Sequence, residues 1–273
     1  MANPDARWAL QDVSKFVENL DAEIFVSLDY PPAKTDSTKA RRRKIARSAR
    51  NFKILTERFP SKTIMPVVHG RTVSEIEHSI QLIGKAVPNP TWIGLGGIVP
   101  LLQHRLISDE IARQRPEVFI AFSLAKIRKA FPSSKIHAFG AGGTQTFPAV
   151  FALGADSADS IGWRQAAGFG SIFLPLRSQR VIKWNLEKRP PRKLLDQSDL
   201  AQLELCACPI CVERPTMAAR LAGFRASFHG RSIHNAWSVT HQMKYWPRGR
   251  SGMRQLVSSG NLGSAWARAL DTV

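Results

Sequence analysis

The sequence predicts an α/β protein in which parallel strands alternate with covering helices, arranged as a TIM-type barrel and followed by a small C-terminal cysteine unit. Short apolar runs alternate with helix-period stretches over residues 4–160, the pattern of parallel strands joined by helices. Several of those runs end on Asp, His-Gly or Gly-Gly, and a barrel collects its polar chemistry at the strands' carboxyl ends. All three cysteines, Cys206, Cys208 and Cys211, lie in the hexapeptide CACPIC, beyond the alternation. A doubly wound open sheet is the alternative. GLGG and GAGG do not match GxGxxG, which disfavours a dinucleotide-binding version.

Residues 4–20 set Trp8, Val13, Phe16, Val17 and Leu20 close to one helical stripe. EIFVSLD (23–29) reads as a strand ending on Asp29, and the turn YPPAKTDST opens a long helix through Phe59. TIMPVVHG (63–70) is a second strand, ending at His69. Thr72 and Glu75 have capping-box spacing before a helix bearing Ile76, Ile80 and Ile83. TWIGLGG (91–97) is a third strand that exits through Gly96 and Gly97. A helix over 116–131 precedes a fourth strand, KIHAFGAGG (135–143). A short helix over 147–153 precedes a fifth, ADSADS (155–160). After Gly168 a strand or hairpin (FGSIFLPLRSQRVIKW) gives way to a polar, proline-marked stretch. The expected division is therefore 1–168, the α/β body, and 169–273, the cysteine unit with a helical, basic end.

Charge narrows the choice of partner. The 273 residues hold 39 Lys+Arg against 21 Asp+Glu, a net +18, and such a surface attracts polyanions, nucleic acids foremost. Three basic runs stand out: KARRRKIAR (39–47), RSQRVIKWNLEKRPPRK (177–193) and KYWPRGRSGMR (244–254). The last two interleave Trp184, Tyr245 and Trp246 with cations, as suits tracking phosphates and stacking bases. The first reads equally well as the wet face of a helix. Candidate nucleic-acid contacts are Arg177, Arg180, Lys183, Lys244, Arg248 and Arg250. No segment approaches the about 18 apolar residues of a membrane span, and MANPDARWAL lacks the features of a secretory signal. Clustered thiols in odd number argue against a disulfide framework. The expected compartment is the cytoplasm.

C-x-C-x-x-C can converge three thiolates on one soft cation, and zinc needs a fourth ligand to close its tetrahedron. His229, His234 and His241 lie downstream. His234, in SIHNAW, is the preferred ligand and His229, in SFHGRS, the second choice. Cys206, Cys208, Cys211 and His234 would thus hold one structural zinc ion, anchoring a unit with too little apolar mass to fold by itself.

C-x-C-x-x-C followed by His-Asn resembles the zinc subdomain that the tRNA-guanine transglycosylase family carries after its barrel. Other segments resemble that family in the same order. VSLDYPP is similar to the strand end whose aspartate, here Asp29, reads the purine edge; PVVHG is similar to a Val-Gln-Gly segment and GLGGI to a Gly-Gly-Leu segment. HAFGAGG resembles its Gly-Val-Gly strand. GADSADS resembles Gly-x-Asp-x-Phe-Asp, whose second aspartate, here Asp159, is the nucleophile. Together they cover most of residues 20–245.

The resemblance implies a (β/α)8 barrel of which the chain holds the last five strands. The others would be missing, or supplied by a companion subunit or a homodimer partner. It implies replacement of guanine in nucleic acid by a 7-deazaguanine base through a covalent aspartyl-glycosyl intermediate. Asp29, His69, Gly96 and Gly97 would form the base site. His69 and Ala158 depart from the family's glutamine and phenylalanine, and its Asp-Ser-Gly-Gly motif has no counterpart. CACPIC and IHNAW are most similar to the branch that inserts 7-cyano-7-deazaguanine into DNA, so DNA is expected ahead of tRNA. A non-catalytic, zinc-containing nucleic-acid-binding subunit is the competing expectation.

Overall fold

Parallel pairing organises the first half of the chain. The computed structural model describes residues 9–33, 35–104, 115–175, 177, 179–183, 193–242, 249–258 and 263–271. These form two compact units, one built on residues up to Phe139 with Gly154–Ser157, the other on Gly140–Leu153 and Ala158–Asp271. Gly168, where the sequence suggested a division, lies within the second.

In chain order the first unit contains α1 (Leu10–Asn19), β1 (Ile24–Val26), α2 (Thr38–Arg58), β2 (Thr63–Met65), β3 (Val67–Val68), α3 (Val73–Ala86), β4 (Trp92–Leu95), α4 (Ile98–His104), α5 (Pro116–Ala130) and β5 (Lys135–Ala138). Ser157 opens a last short strand, β6 (Ser157–Ala158). β1 pairs in parallel with β2, with Phe25 opposite Ile64. β3 pairs in parallel with β4, Val68 opposite Leu95. β4 pairs in parallel with β5, Ile93 opposite Ile136, and β6 follows β5 in the sheet. Pro66 separates β2 from β3 because it has no N–H to give the ladder, yet its carbonyl accepts the Gly94 N–H at 2.8 Å. Strand order thus runs with sequence order and never reverses. The expected α/β class with parallel strands is what the chain adopts.

Both faces of a parallel sheet must be covered, and the sequence supplies the cover. Phe25, Ile64, Val68, Ile93 and Ile136 on the strands are buried, as are Ile45, Phe52 and Leu55 of α2, Ile76 and Ile83 of α3, and Phe119, Leu124 and Ile127 of α5, with α2 packing on β2, α3 on β3 and α5 on β5. Ser37 and Thr72 cap α2 and α3 by accepting the Ala40 and Glu75 N–H groups. The expected capping box at α3 forms only by half. Glu75 turns its carboxylate to the Arg71 N–H (2.9 Å) and to Arg41 Nε (2.7 Å), since a buried charge gains more from a cation than from one neutral N–H.

The second unit contains α6 (Thr146–Ala152), α7 (Gly162–Gly168), the antiparallel hairpin β7 (Ser171–Ile172) and β8 (Arg180–Val181), then α8 (Gln197–Glu204), α9 (Pro209–Val212), α10 (Met217–Ala226), α11 (Phe228–Gln242), α12 (Gly249–Ser258) and α13 (Ser264–Asp271). Helix α11 is its spine, packing on α7, β7, α9 and α10. Two buried arginines cap helix ends, where carbonyls lack intrahelical partners. Arg220 donates to the carbonyls of Leu203, Glu204 (3.1 Å) and Arg214 (2.8 Å). Arg231 donates to those of Ala167 (2.8 Å) and Phe224. Part of the large positive charge is therefore internal scaffolding. Among the described residues no helix is long and apolar enough to cross a membrane.

Candidate functional site

The cysteine hexapeptide folds as a ligand loop. Cys206 follows the C-cap of α8, and Cys208 is the N-cap of α9, its sulfur accepting the Cys211 N–H at 3.3 Å. Pro209 in the first turn of α9 has the φ that position needs. His234 reaches the three sulfurs from α11, with Nδ1 at 3.7 Å from Cys206 Sγ, 3.3 Å from Cys208 Sγ and 3.9 Å from Cys211 Sγ. All four ligand atoms lie within 4.8 Å of one another. Tetrahedral bonds of the usual N/S lengths would set sulfur and nitrogen about 3.6 Å apart, so the donor set has the size and chemistry to hold a metal ion.

The surroundings fix the imidazole. His234 Nε2 lies 2.9 Å from the Phe173 carbonyl, and donating there turns Nδ1 to the sulfurs, so that it could ligate once its own proton is released. Asn235 grips the same residue, its Oδ1 accepting the Phe173 N–H at 2.7 Å while Nδ2 donates to Trp163 O at 2.9 Å. The His-Asn pair thus clamps the exit of β7, a positioning role for Asn235 absent from the sequence reading. Protons are held unevenly in the cluster. Hydrogen bonds from Cys206 and Cys211 hold the Cys208 thiol far below the usual range, while those from Cys206 and Cys208 push Cys211 far above it. Burial pushes His234 down, but Cys206 and Cys208 outweigh it and raise the imidazole to about 9. His229, the second-choice ligand, lies outside the cluster and packs edge-on against Phe228.

The unit is richer in apolar contacts than its sequence implied. Cys208 and Cys211 are buried with Ile172, Leu174, Ile182, Leu203 and Phe224. Cys206 is the most open of the three cysteines, bordering a cleft of about 260 Å3 lined by Leu174, Leu205, Trp237 and His241.

A second cluster forms in the first unit, at the carboxyl ends of β1, β3 and β4. His69 Nε2 and Asp29 Oδ2 share a short hydrogen bond, with His69 almost fully buried and Asp29 28% exposed. Helix α2 holds the loop that carries Asp29: Asn51 Nδ2 donates to the Leu28 carbonyl at 3.0 Å, and the Tyr30 backbone N–H donates to Ser48 Oγ at 2.8 Å. Gly96 is needed for a reason the sequence did not show. A Cβ there would sit 2.7 Å from His69 Nδ1 and closer still to Cε1. Gly96→Ala should therefore push His69 off Asp29 and cost about 1–3 kcal/mol, read as a lowered denaturation midpoint.

Two expected roles change with this geometry. The Gly96 N–H donates to the Val68 carbonyl at 3.0 Å, so the sheet ladder has used it; the Gly97 N–H, at φ +80, is the better donor for a ligand. Asp29 already accepts from His69 through Oδ2, so further acceptance falls to Oδ1 and the remaining lone pair. Pro31, Pro32, His69, Gly70, Arg71, Gly97 and Leu101 help to line a cleft of about 50 Å3. That is well below the about 300 Å3 at which ligand pockets begin.

Asp159 is exposed in the second unit and accepts the Gly140 N–H at 2.7 Å through Oδ1. Gly140 has φ +67 and a Cβ on Gly142 would collide with Ser160, so the GAGG glycines let the loop close over the residues flanking Asp159. Asp156, three positions earlier, has a different role. It accepts from the Ile136 N–H and from Arg128, each at 2.8 Å, and secures β5.

Of the basic candidates, Lys183 is exposed. Arg180 pairs at 2.5 Å with Asp199, which is fully buried, and Arg177 donates to Ser198 at 2.6 Å. Lys244 and Arg248 lie outside the described residues, as do Trp184, Tyr245 and Trp246; Arg250 falls on α12. Arg180→Gln should leave the buried Asp199 carboxylate with only the more distant Arg177, at 3.9 Å, and lower stability by about 3 kcal/mol, measurable by urea titration.

No protein-family model matches the chain, and no curated protein matches it significantly.

Proposed function

We propose that this chain is a transglycosylase that replaces guanine in nucleic acid by a 7-deazaguanine base, of the 7-cyano-7-deazaguanine type, with DNA favoured over tRNA. The observation that carries the reading is the Asp29–His69–Gly96 cluster. Three segments similar to separate motifs of the tRNA-guanine transglycosylases meet at neighbouring strand ends, where parallel α/β folds bind ligands. The unreversed strand order supports a barrel-like winding over a doubly wound one, with a companion subunit or a second copy completing the barrel. The Cys3His set supports one structural zinc ion, which would brace the second unit. The cytoplasm remains the proposed compartment.

In the reaction, an oxygen of Asp159 attacks C1′ of the target nucleotide, the glycosidic C–N bond breaks, and its electron pair leaves with guanine. The Gly97 N–H lies at the cleft to meet charge developing on the base, while Asp29 accepts from the base's N–H edge. The departed guanine anion takes a proton from solvent; the incoming base then attacks C1′ through its ring nitrogen, displaces the Asp159 carboxylate and returns its N–H proton to solvent, so that protons balance. The target nucleotide must leave its stack.

The small volume of the cleft lined by His69 and Gly97 favours a second reading, a non-catalytic nucleic-acid-binding subunit. Incubation with labelled 7-deazaguanine and either guanine-containing DNA or tRNA separates the two. Label should enter DNA more readily than tRNA. Binding of both polymers with no incorporation into either would select the non-catalytic subunit.

A further inference from the structure

We propose that the outer face of α2 is a docking surface for the phosphate backbone of nucleic acid, a second contact area besides the basic runs around the cysteine unit. This rests on the proposed nature of the partner and is independent of the base-exchange chemistry.

The helix carries nine Lys or Arg residues and one Glu. Several of these charges are engaged: Arg41 with Glu75 (2.7 Å), Lys44 with Asp36 (2.7 Å), Lys53 with Glu57 (3.7 Å) and Arg58 with Glu18 (3.0 Å). Arg47 lies over the Tyr30 ring at 4.1 Å. Lys39, Arg42, Arg43 and Arg50 are exposed and have no partner among the described residues. At 3.6 residues per turn these four share a sector of about 100°, opposite the buried Ile45, Ser48, Phe52 and Leu55. At 1.5 Å per residue they span about 16 Å, the rise of about five phosphates on one strand at 3.4 Å each.

The chemistry of this face selects among polyanions. A helix that binds an acidic lipid surface inserts apolar side chains between its cations. Here Ile45, Phe52 and Leu55 point into the core and Ile54, beside the sector, is half-buried, so no exposed large apolar side chain stands among the four cations. Three of the four are arginines, whose planar fork matches phosphate oxygens. The helix also holds the Asp29 loop through Ser48 and Asn51, so a backbone seated on it would lie on the element that positions the base-site aspartate.

The test replaces Lys39, Arg42, Arg43 and Arg50 together by glutamine, a good helix former, and measures binding of duplex DNA, single-stranded DNA and tRNA against salt. For duplex DNA the slope of log K against log salt should flatten by about 3.6, with affinity at 0.1 M salt down at least about a hundredfold. The flatter slope with single strands or tRNA alone would identify the polymer seated there. Should the fourfold variant lose its circular dichroism, Arg50→Gln alone should flatten the slope by about 0.9. Unchanged slopes with all three polymers would overturn the proposal, as would loss of binding only to phosphatidylserine vesicles. A wild type that shows the steep slope but exchanges no base would keep this surface and remove only the reaction.

Discussion

Wild-type protein should carry one metal ion per chain, and Cys208→Ala should carry none and lose the cooperative unfolding of its second unit. Cys208 caps α9, accepts the Cys211 N–H and is the sulfur nearest His234 Nδ1 at 3.3 Å. Its loss removes a ligand and opens a hole beside Ile172, Leu203 and Phe224. Structural zinc contributes about 10–16 kcal/mol in small metal-dependent folds, comparable with the about 5–15 kcal/mol that holds a whole domain together. Even with an apolar cluster to help, the unit should not withstand that loss. Elemental analysis and thermal denaturation check the pair of statements, and a chelator entering beside Cys206 should reproduce the mutant. A stably folded wild type that binds no metal would refute them.

Asp159→Asn should reduce base exchange by about 10^4-fold or more, the scale expected when a covalent nucleophile is removed, while nucleic-acid affinity stays within twofold. The amide is isosteric, and its Oδ1 can still accept the Gly140 N–H that Asp159 accepts at 2.7 Å. The loop should therefore survive and only the nucleophile be lost. Single-turnover incorporation of labelled base, beside a binding titration, separates these two effects. Incorporation at the wild-type rate would assign the nucleophile elsewhere.

The elements with strong periodic signals were legible in the sequence. Ile45, Phe52 and Leu55 mark α2, and the apolar runs before Asp29, His69 and Gly96 mark the strands, because burial on one helical face or on both sheet faces dictates residue type directly. The cluster of Cys206, Cys208, Cys211 and His234 was legible because soft-metal chemistry restricts both donor identity and spacing. Long-range packing was not. The His69 ring packed where a Cβ on Gly96 would fall and the backbone groups held by both amide atoms of Asn235 are contacts between segments distant in the chain. Charge misled in a particular way. Arg180 reads as a phosphate ligand in the sequence, but its guanidinium meets a buried aspartate, whereas the run at 39–47 holds side chains with no partner among the described residues. Composition gives the sign of the charge; only the fold shows which cations are spent.

The most direct measurement denatures a mixture of wild-type chain and guanine-containing DNA during turnover and maps any covalent protein–DNA product by peptide mass spectrometry. The account predicts an adduct on the peptide containing Asp159, dispersed by added 7-deazaguanine base and absent from Asp159→Asn. Incorporation of labelled base without any such adduct, or an adduct on another residue, would contradict it.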